Sequence, residues 1–187
     1  MGGNANDEDL LAKVAGGDAA AYRTLVDRHA DRILALCRRI LPSRADAEDA
    51  TQEVFLTVWQ KAGEYRPMGA RFTTWLYRVA VNRALKHKER NVMRHDPIEA
   101  ADEQTDPAPQ AEEQLDAAQG EARVQAAVAR LPAMQRVAVT LTYAGGLANA
   151  EAAQAMDISV KALESLLVRA RRSLRLALAP TAGQRRT

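Results

Sequence analysis

Between residues 96 and 121 the chain carries nine acidic side chains, no lysine and no arginine, and Pro97, Pro107 and Pro109 interrupt it. Over residues 95–114 helical periodicity is lost, and such a polar stretch cannot bury enough apolar surface to offset the entropy of ordering it. It reads as a disordered or extended linker. The fold is thereby divided before any element is placed: one module over residues 1–95, an acidic linker over 96–121, and a second module over 122–187. The flanks differ from the spacer in sign. Residues 1–95 hold 16 Lys/Arg against 12 Asp/Glu, a balance of +4, and residues 122–187 hold 10 against three, a balance of +7. Two basic blocks around an acidic spacer suit two modules that meet a polyanion. Solvated surfaces around a solubilising linker would give the same balance, so charge alone does not decide.

Nothing in either block alternates with the period of a strand. Apolar residues recur at three and four over residues 10–15, 19–29 and 31–41, with Asp18 placed to cap the second run and Pro42 ending the third. A further helix opens in DAEDATQEVFLTVWQKA, where Asp46 can cap and Asp49 suits the helix dipole. EYRPMGA reads as a loop because Pro67 and Gly69 break the pattern. RFTTWLYRVAVNRALKHKER is helical and basic. After the spacer, helices resume near 115–131, PAMQRVAVTLTYA starts at Pro132 and ends at Gly145 and Gly146, and NAEAAQAM and VKALESLLVRARR follow. Aromatics make up only 4% of the chain, which favours helices packed through aliphatic side chains. The expectation is an all-α protein of two small helical domains.

Several function classes fall away. No run of about 18 apolar residues exists to span a membrane, and the acidic N-terminus lacks an apolar signal core, so a cytoplasmic protein is expected. The single Cys37 excludes an internal disulfide and a multi-cysteine metal site. It reads as a small buried apolar residue. His29, His87 and His95 have no metal-ligand spacing and read as surface residues. No phosphate-cradling glycine loop or nucleophile elbow is present. No catalytic residue, metal or cofactor is expected.

NAEAAQAM-DIS-VKALESLLVRARR has the layout of a helix-turn-helix: two helices, a three-residue turn, and Ser159 at the N-cap of the second. Asp157 stands where glycine is common and can visit the left-handed region. At roughly 100° per residue, Val160, Leu163, Leu167, Ala170 and Leu174 form an inward stripe. Lys161, Ser165, Val168, Arg169 and Arg172 lie opposite. Guanidinium groups for guanine edges or phosphates, a hydroxyl, and an apolar group for thymine methyl are what a helix in a major groove presents. An amphipathic helix with solvated arginines is the plainer alternative.

Two separated motifs add to this. DAEDATQEVFLTVW followed by FTTWLYRVAVNRAL resembles region two of bacterial sigma factors, and LPAMQRVAVTLTYAGGLANAEAAQAMDISVKALESLLVRARRSLR resembles region four. With only these two regions present, the architecture is similar to that of the extracytoplasmic-function, or group IV, sigma factors. The resemblance implies a non-enzymatic subunit that binds core RNA polymerase through the beta-prime clamp helices and the beta flap, and directs it to promoter DNA, under control of an anti-sigma factor in a stress or envelope response. It further implies that Asp49, Gln52 and Glu53 dock on the clamp helices. The stretch around Asn82 would form a loop or helix start that captures a flipped minus-ten base, with Arg78, Arg83 and Lys86 on the backbone. Lys161, Ser165, Val168, Arg169 and Arg172 would meet the minus-35 duplex.

Beside the resemblance, Ala50, Val54, Val58 and Trp59 can pack inward, Phe72 and Trp75 suit a core more than a stacking platform, and Asn82 has both donor and acceptor for a base edge. Glu164 and Leu166 depart from the cationic residues usual in the family, and Ala148 replaces a common serine cap, leaving Asn149 as the expected cap. The 26-residue linker would span roughly 28 Å as a coil and about 85 Å extended. Elements one and a half to two DNA turns apart lie roughly 50–70 Å from each other, so the linker reaches when stretched. Its acids are also expected to disfavour DNA binding by the free chain. A helix-turn-helix regulator acting without polymerase, or a degenerate relative serving only as a protein-binding module, are the alternatives.

Overall fold

The computed structural model describes residues 5–66, 71–94 and 112–179. Among them there are eight α-helices and no strand. The first module contains α1 (Asp7–Ala15), α2 (Ala19–Ile40), α3 (Arg44–Lys61), a short 3-10 turn at Ala62–Glu64, and α4 (Phe72–Arg94). The second contains α5 (Glu112–Ala129), α6 (Ala133–Val139) running on into a π-helical turn at Thr140–Ala144, α7 (Asn149–Ala155) and α8 (Val160–Leu178).

Each helix of the first module is started by a side chain that answers an orphan amide. Asn6 accepts from the Asp9 amide at 2.7 Å, and Asp18 accepts from Ala20 and Ala21 as expected. For α3 the cap is Ser43, which accepts from the Asp46 amide at 3.3 Å. Asp46 is therefore inside the first turn rather than at the cap, because the helix begins at Arg44, directly after the Pro42 break. The start of α4 is served from another helix: Glu8 of α1 accepts from the Phe72 amide at 3.0 Å. The runs expected over 19–29 and 31–41 are one continuous helix, since their buried residues share a single face.

That face and its neighbours form the core. Leu25, Ile33, Ile40, Val54, Val58, Phe72, Leu76 and Val81 are almost completely buried. Cys37 is also buried, and burial pushes its thiol up to about 11. His29 is not a surface residue. It is 6% exposed, and its Nε2 lies 2.7 Å from Asp7 Oδ2 while Arg28 holds Oδ1 at 2.8 Å, which staples α1 to α2. His87 is likewise mostly enclosed, against Glu53. His95 and residues 67–70 of the expected loop lie outside the described residues.

The helix expected near 115–131 starts three residues earlier and overlaps the end of the span assigned to the linker. Helix α5 already begins at Glu112, so residues 112–121 are helical. Acids at a helix start are favoured by the dipole, and the alanines that follow are strong helix formers. Residues 96–111 lie outside the described part of the chain.

In the second module the π-helical turn inserts one residue before the break: the Gly145 amide reaches the Thr140 carbonyl at 2.8 Å. A side chain at Gly145 would sit 2.7 Å from the Leu141 carbonyl oxygen, and Gly146 follows at φ +67°. The two glycines thus turn the chain sharply into α7. Leu141, Leu163, Leu167 and Ala170 close the module's interior. The buried clusters of both modules are continuous.

Candidate nucleic-acid interface

Helix α4 buries Phe72, Leu76, Ala80 and Ala84 at intervals of four, which aligns one face on the core. The opposite side therefore gathers Arg78, Asn82 and Lys86, again four apart. These three and Arg83 line one open groove of about 390 Å³, together with Thr57, Lys61, Trp75 and Val79. The four residues singled out for the minus-ten element are thus neighbours in space. Asn82 is inside α4, not in a loop or at a helix start. The buried stripe passes it without a break, and the helix starts ten residues earlier, at Phe72.

Arg83 is held in place across the two helices. Its Nη2 donates to Thr57 Oγ1 at 3.0 Å and its Nη1 to Glu53 Oε2 at 3.3 Å. Glu53 also takes His87 Nε2 at 3.0 Å and lies 3.9 Å from Arg90. Burial pushes the Glu53 carboxyl up, but the His87 hydrogen bond and the charges of His87, Arg83 and Arg90 outweigh it and leave it below the usual carboxylate range. Thr57 and Lys61 were not singled out from sequence. Their spacing of four from Glu53 carried the signal, since it puts all three on the α3 face toward α4. Trp75 is only partly buried and forms one wall of the groove, packed at 5.6 Å on Tyr65, while Phe72 is fully buried as expected.

The outer face of α3 carries Asp49 and Gln52, both exposed, with Leu56 at 52% and Trp59 at 38% exposure. Trp59 does not pack inward as expected. One edge of its ring meets Tyr22, with centroids 5.2 Å apart, and the rest faces outward. Residues 49, 52, 56 and 59 recur at three and four, so they form one stripe along the helix.

Helix α8 presents the second face. Ser159 caps it, accepting from the Ala162 amide at 3.1 Å. Asp157 occupies the turn at φ 57°, the left-handed conformation its residue type allows. Leu163, Leu167 and Ala170 are buried and Leu174 partly so, whereas Val160 is 42% exposed because the core starts one turn later. Lys161, Ser165, Val168, Arg169 and Arg172 are all exposed on the opposite side. Ser165 donates to the Lys161 carbonyl at 2.9 Å and Arg169 to the Ser165 carbonyl at 3.2 Å. Arg171, on the flank, donates to Tyr143 Oη at 2.8 Å. At α7 the N-cap is Ala148, not Asn149. With no side-chain oxygen there, the one capping contact is Glu151, whose Oε2 accepts from the Ala148 amide at 3.1 Å.

An all-helical chain with a cationic groove in one module and a cationic recognition helix in the other is a two-part nucleic-acid-binding protein. A family model for Sigma-70 region 2 matches residues 25–92, and one for Sigma-70, region 4 matches residues 121–174. The chain is 30% identical over 172 residues to the RNA polymerase sigma factor NccH of Alcaligenes xylosoxydans xylosoxydans, covering 90% of this chain and 92% of that one. It is 31% identical over 170 residues to the ECF RNA polymerase sigma factor SigK of Mycobacterium tuberculosis, covering 89% and 90%. The solved structure of CnrH in complex with the cytosolic domain of CnrY superimposes with a TM-score of 0.68 at 26% identity, over 92% of this chain and 96% of that one. The chain belongs to the extracytoplasmic-function sigma factors of the sigma-70 family. It is accordingly a subunit of RNA polymerase that directs transcription initiation to promoters, and the nucleotidyl transfer is the polymerase's own.

Proposed function

We propose that the two cationic faces divide the promoter between them. The α4 groove takes the minus-ten element, with Arg78, Arg83 and Lys86 on the backbone and Asn82 on a base edge. A basic groove walled by an aromatic side chain suits a single strand. The α8 face takes the minus-35 duplex through Lys161, Ser165, Val168, Arg169 and Arg172, with the spacer between α4 and α5 bridging the distance. The observation that carries this reading is the convergence of Arg78, Asn82, Arg83 and Lys86 on one groove.

Asp49 and Gln52 dock on the beta-prime clamp helices, with Glu53 beside them held toward α4 by Arg83 and His87, and the second module meets the beta flap. The stripe through Asp49, Gln52, Leu56 and Trp59 supports helix-on-helix docking, because a three-and-four spacing presents a continuous ridge. CnrH is solved with the cytosolic domain of CnrY, and a comparable anti-sigma protein, tied to a stress or envelope signal, holds this chain inactive. The site of action is the cytoplasm, where polymerase and promoter meet.

Reconstituted transcription tests the proposal. Core polymerase plus this protein initiates at a promoter that core alone ignores, and mapped start sites reveal both elements. Start sites with a shared minus-ten element but no shared minus-35 element would remove the role given to α8.

A further inference from the structure

The start of α4 opens on a cleft of about 180 Å³, which Arg32, Arg71, Thr73, Thr74, Tyr77 and Gly146 help to line. A helix start holds amides with no intrahelical partner. Here the Phe72 amide is answered by Glu8 at 3.0 Å, and the Thr74 and Trp75 amides by the Arg71 carbonyl at 3.0 and 3.3 Å. The Thr73 amide has no partner among the described residues. Among the same residues, none meets the Gly146 amide, the Arg32 guanidinium, or the hydroxyls of Thr73, Thr74 and Tyr77. Thr74 is 3% exposed and lines the cleft. A hydroxyl enclosed to that degree ordinarily has a partner.

These groups share a sign. Arg32, Arg71 and the two amides can only donate. Burial pushes the Tyr77 phenol up from its ordinary value, against the opposing charge of Arg32, so it keeps its proton at neutral pH. The neighbouring carboxylates are already engaged. Glu151 accepts from Arg71 at 3.0 Å and from the Ala148 amide at 3.1 Å, and Glu8 accepts from Phe72. Water satisfies such a set poorly, because it must also find acceptors for its own protons. An anion with several oxygens satisfies it well. The positive end of the dipole of α4, a helix of 23 residues, adds to the attraction.

We propose that this cleft binds a phosphoryl anion, either inorganic phosphate or the terminal phosphate of a small phosphorylated molecule. The Thr73 amide and Thr74 hydroxyl hold the anion at the helix start, and Arg32 holds it from α2. The volume lies below the roughly 300 Å³ at which pockets begin to enclose larger organic ligands, so the cleft takes the phosphate group and leaves any attached nucleoside outside. It shares no lining residue with the groove of Arg78, Asn82, Arg83 and Lys86. The proposal therefore stands apart from the assignment of that groove to promoter DNA.

Four variants of the full chain test the site. Arg32→Gln and Thr74→Val each remove one donor, and Thr74→Ser keeps the hydroxyl. Arg23→Gln changes another exposed cation of α2, outside the cleft. Equilibrium dialysis against labelled inorganic phosphate, with chloride holding the ionic strength constant, is expected to show one phosphate per chain, half-saturated at about 1 mM or below. Arg32→Gln and Thr74→Val are expected to weaken binding by about three- to tenfold, while Thr74→Ser and Arg23→Gln bind as the parent does. Arg32 is exposed, so its substitution decides the matter even where Thr74→Val fails to fold. A nucleoside 5′-diphosphate is added as competitor. Displacement of the labelled phosphate shows that the site accepts a terminal phosphate, and a lack of displacement shows that free phosphate is the ligand; both support the site. Binding that never saturates, or that Arg23→Gln weakens as much as Arg32→Gln, is diffuse attraction to a basic surface and overturns the proposal.

Discussion

A carboxylate gripped by the cations of a neighbouring helix is less free for a partner than an exposed one, and this separates Glu53 from Asp49 and Gln52. Its side chain is 33% exposed and is met by His87, Arg83 and Arg90. Glu53→Gln is expected to loosen Arg83 and weaken binding of the minus-ten strand by the holoenzyme several-fold. Asp49→Ala and Gln52→Ala act instead on assembly with core polymerase. Titration of core binding and fork-DNA binding for each variant separates the two; equal losses in both assays for Glu53→Gln would sink the distinction. Because the Glu53 carboxyl is held below its ordinary value, its stabilising contribution is full above roughly pH 4.3, the unfolded value. It is lost as pH falls through the lower folded value. Acid unfolding of Glu53→Gln should therefore be shallower than that of the parent below that pH. On α8, Arg169→Ala weakens binding to the minus-35 duplex by about 1–3 kcal/mol if the guanidinium reads a base, and more evenly across sequences if it meets a phosphate. Unchanged promoter binding would remove the placement of this helix. The α8 face was legible in sequence because its exposed positions follow one helical wheel. The role of Glu53 was not, because its partner His87 lies 34 residues away on another helix.

At the scale of the element, caps account for two of the differences between sequence and structure. Asp46 and Ser43 are both good caps by type; the helix chose Ser43 because its first turn begins directly after the proline break. In α7 the chain takes a cap geometry without a capping side chain: Ala148 has φ −61° and ψ 153°, and only Glu151 reaches back. Ala148→Ser would let a hydroxyl accept from the Glu151 amide and complete the reciprocal pair. It is expected to stabilise the protein by about 0.5–2 kcal/mol, read as a rise in denaturant midpoint at constant slope. In the opposite direction, Leu163→Ala empties a fully buried position under α8 and should cost about 2–5 kcal/mol. The periodic stripes of α2, α4 and α8 made the helices legible. The π-helical turn at Thr140–Ala144 was not, because five residues are too short a run to reveal a change of period.

At the scale of the whole molecule, two sets of acids can restrain DNA binding by the free chain, and they act by different physics. Glu151 and Asp157 touch specific cations across the modules. The acids of residues 96–111 are expected to act through a local negative potential, which salt screens over about 10 Å at 0.1 M. Replacing Asp96, Glu99, Asp102, Glu103 and Asp106 by their amides is expected to raise the affinity of the free chain for promoter DNA at low salt and to leave the inter-module distance unchanged. Asp157→Gly with Glu151→Gln is expected to change both. The linker's contribution should fade as salt rises, alongside the general loss of phosphate contacts. The two modules are expected to stay in contact even then, because the Arg136 hydrogen bond to Ile40 and the apolar cluster shared by Leu76 and Leu147 do not depend on exposed charge. An amide-substituted linker that leaves low-salt affinity unchanged would mean that the spacer is only a tether, and that restraint resides in the packing of the two modules.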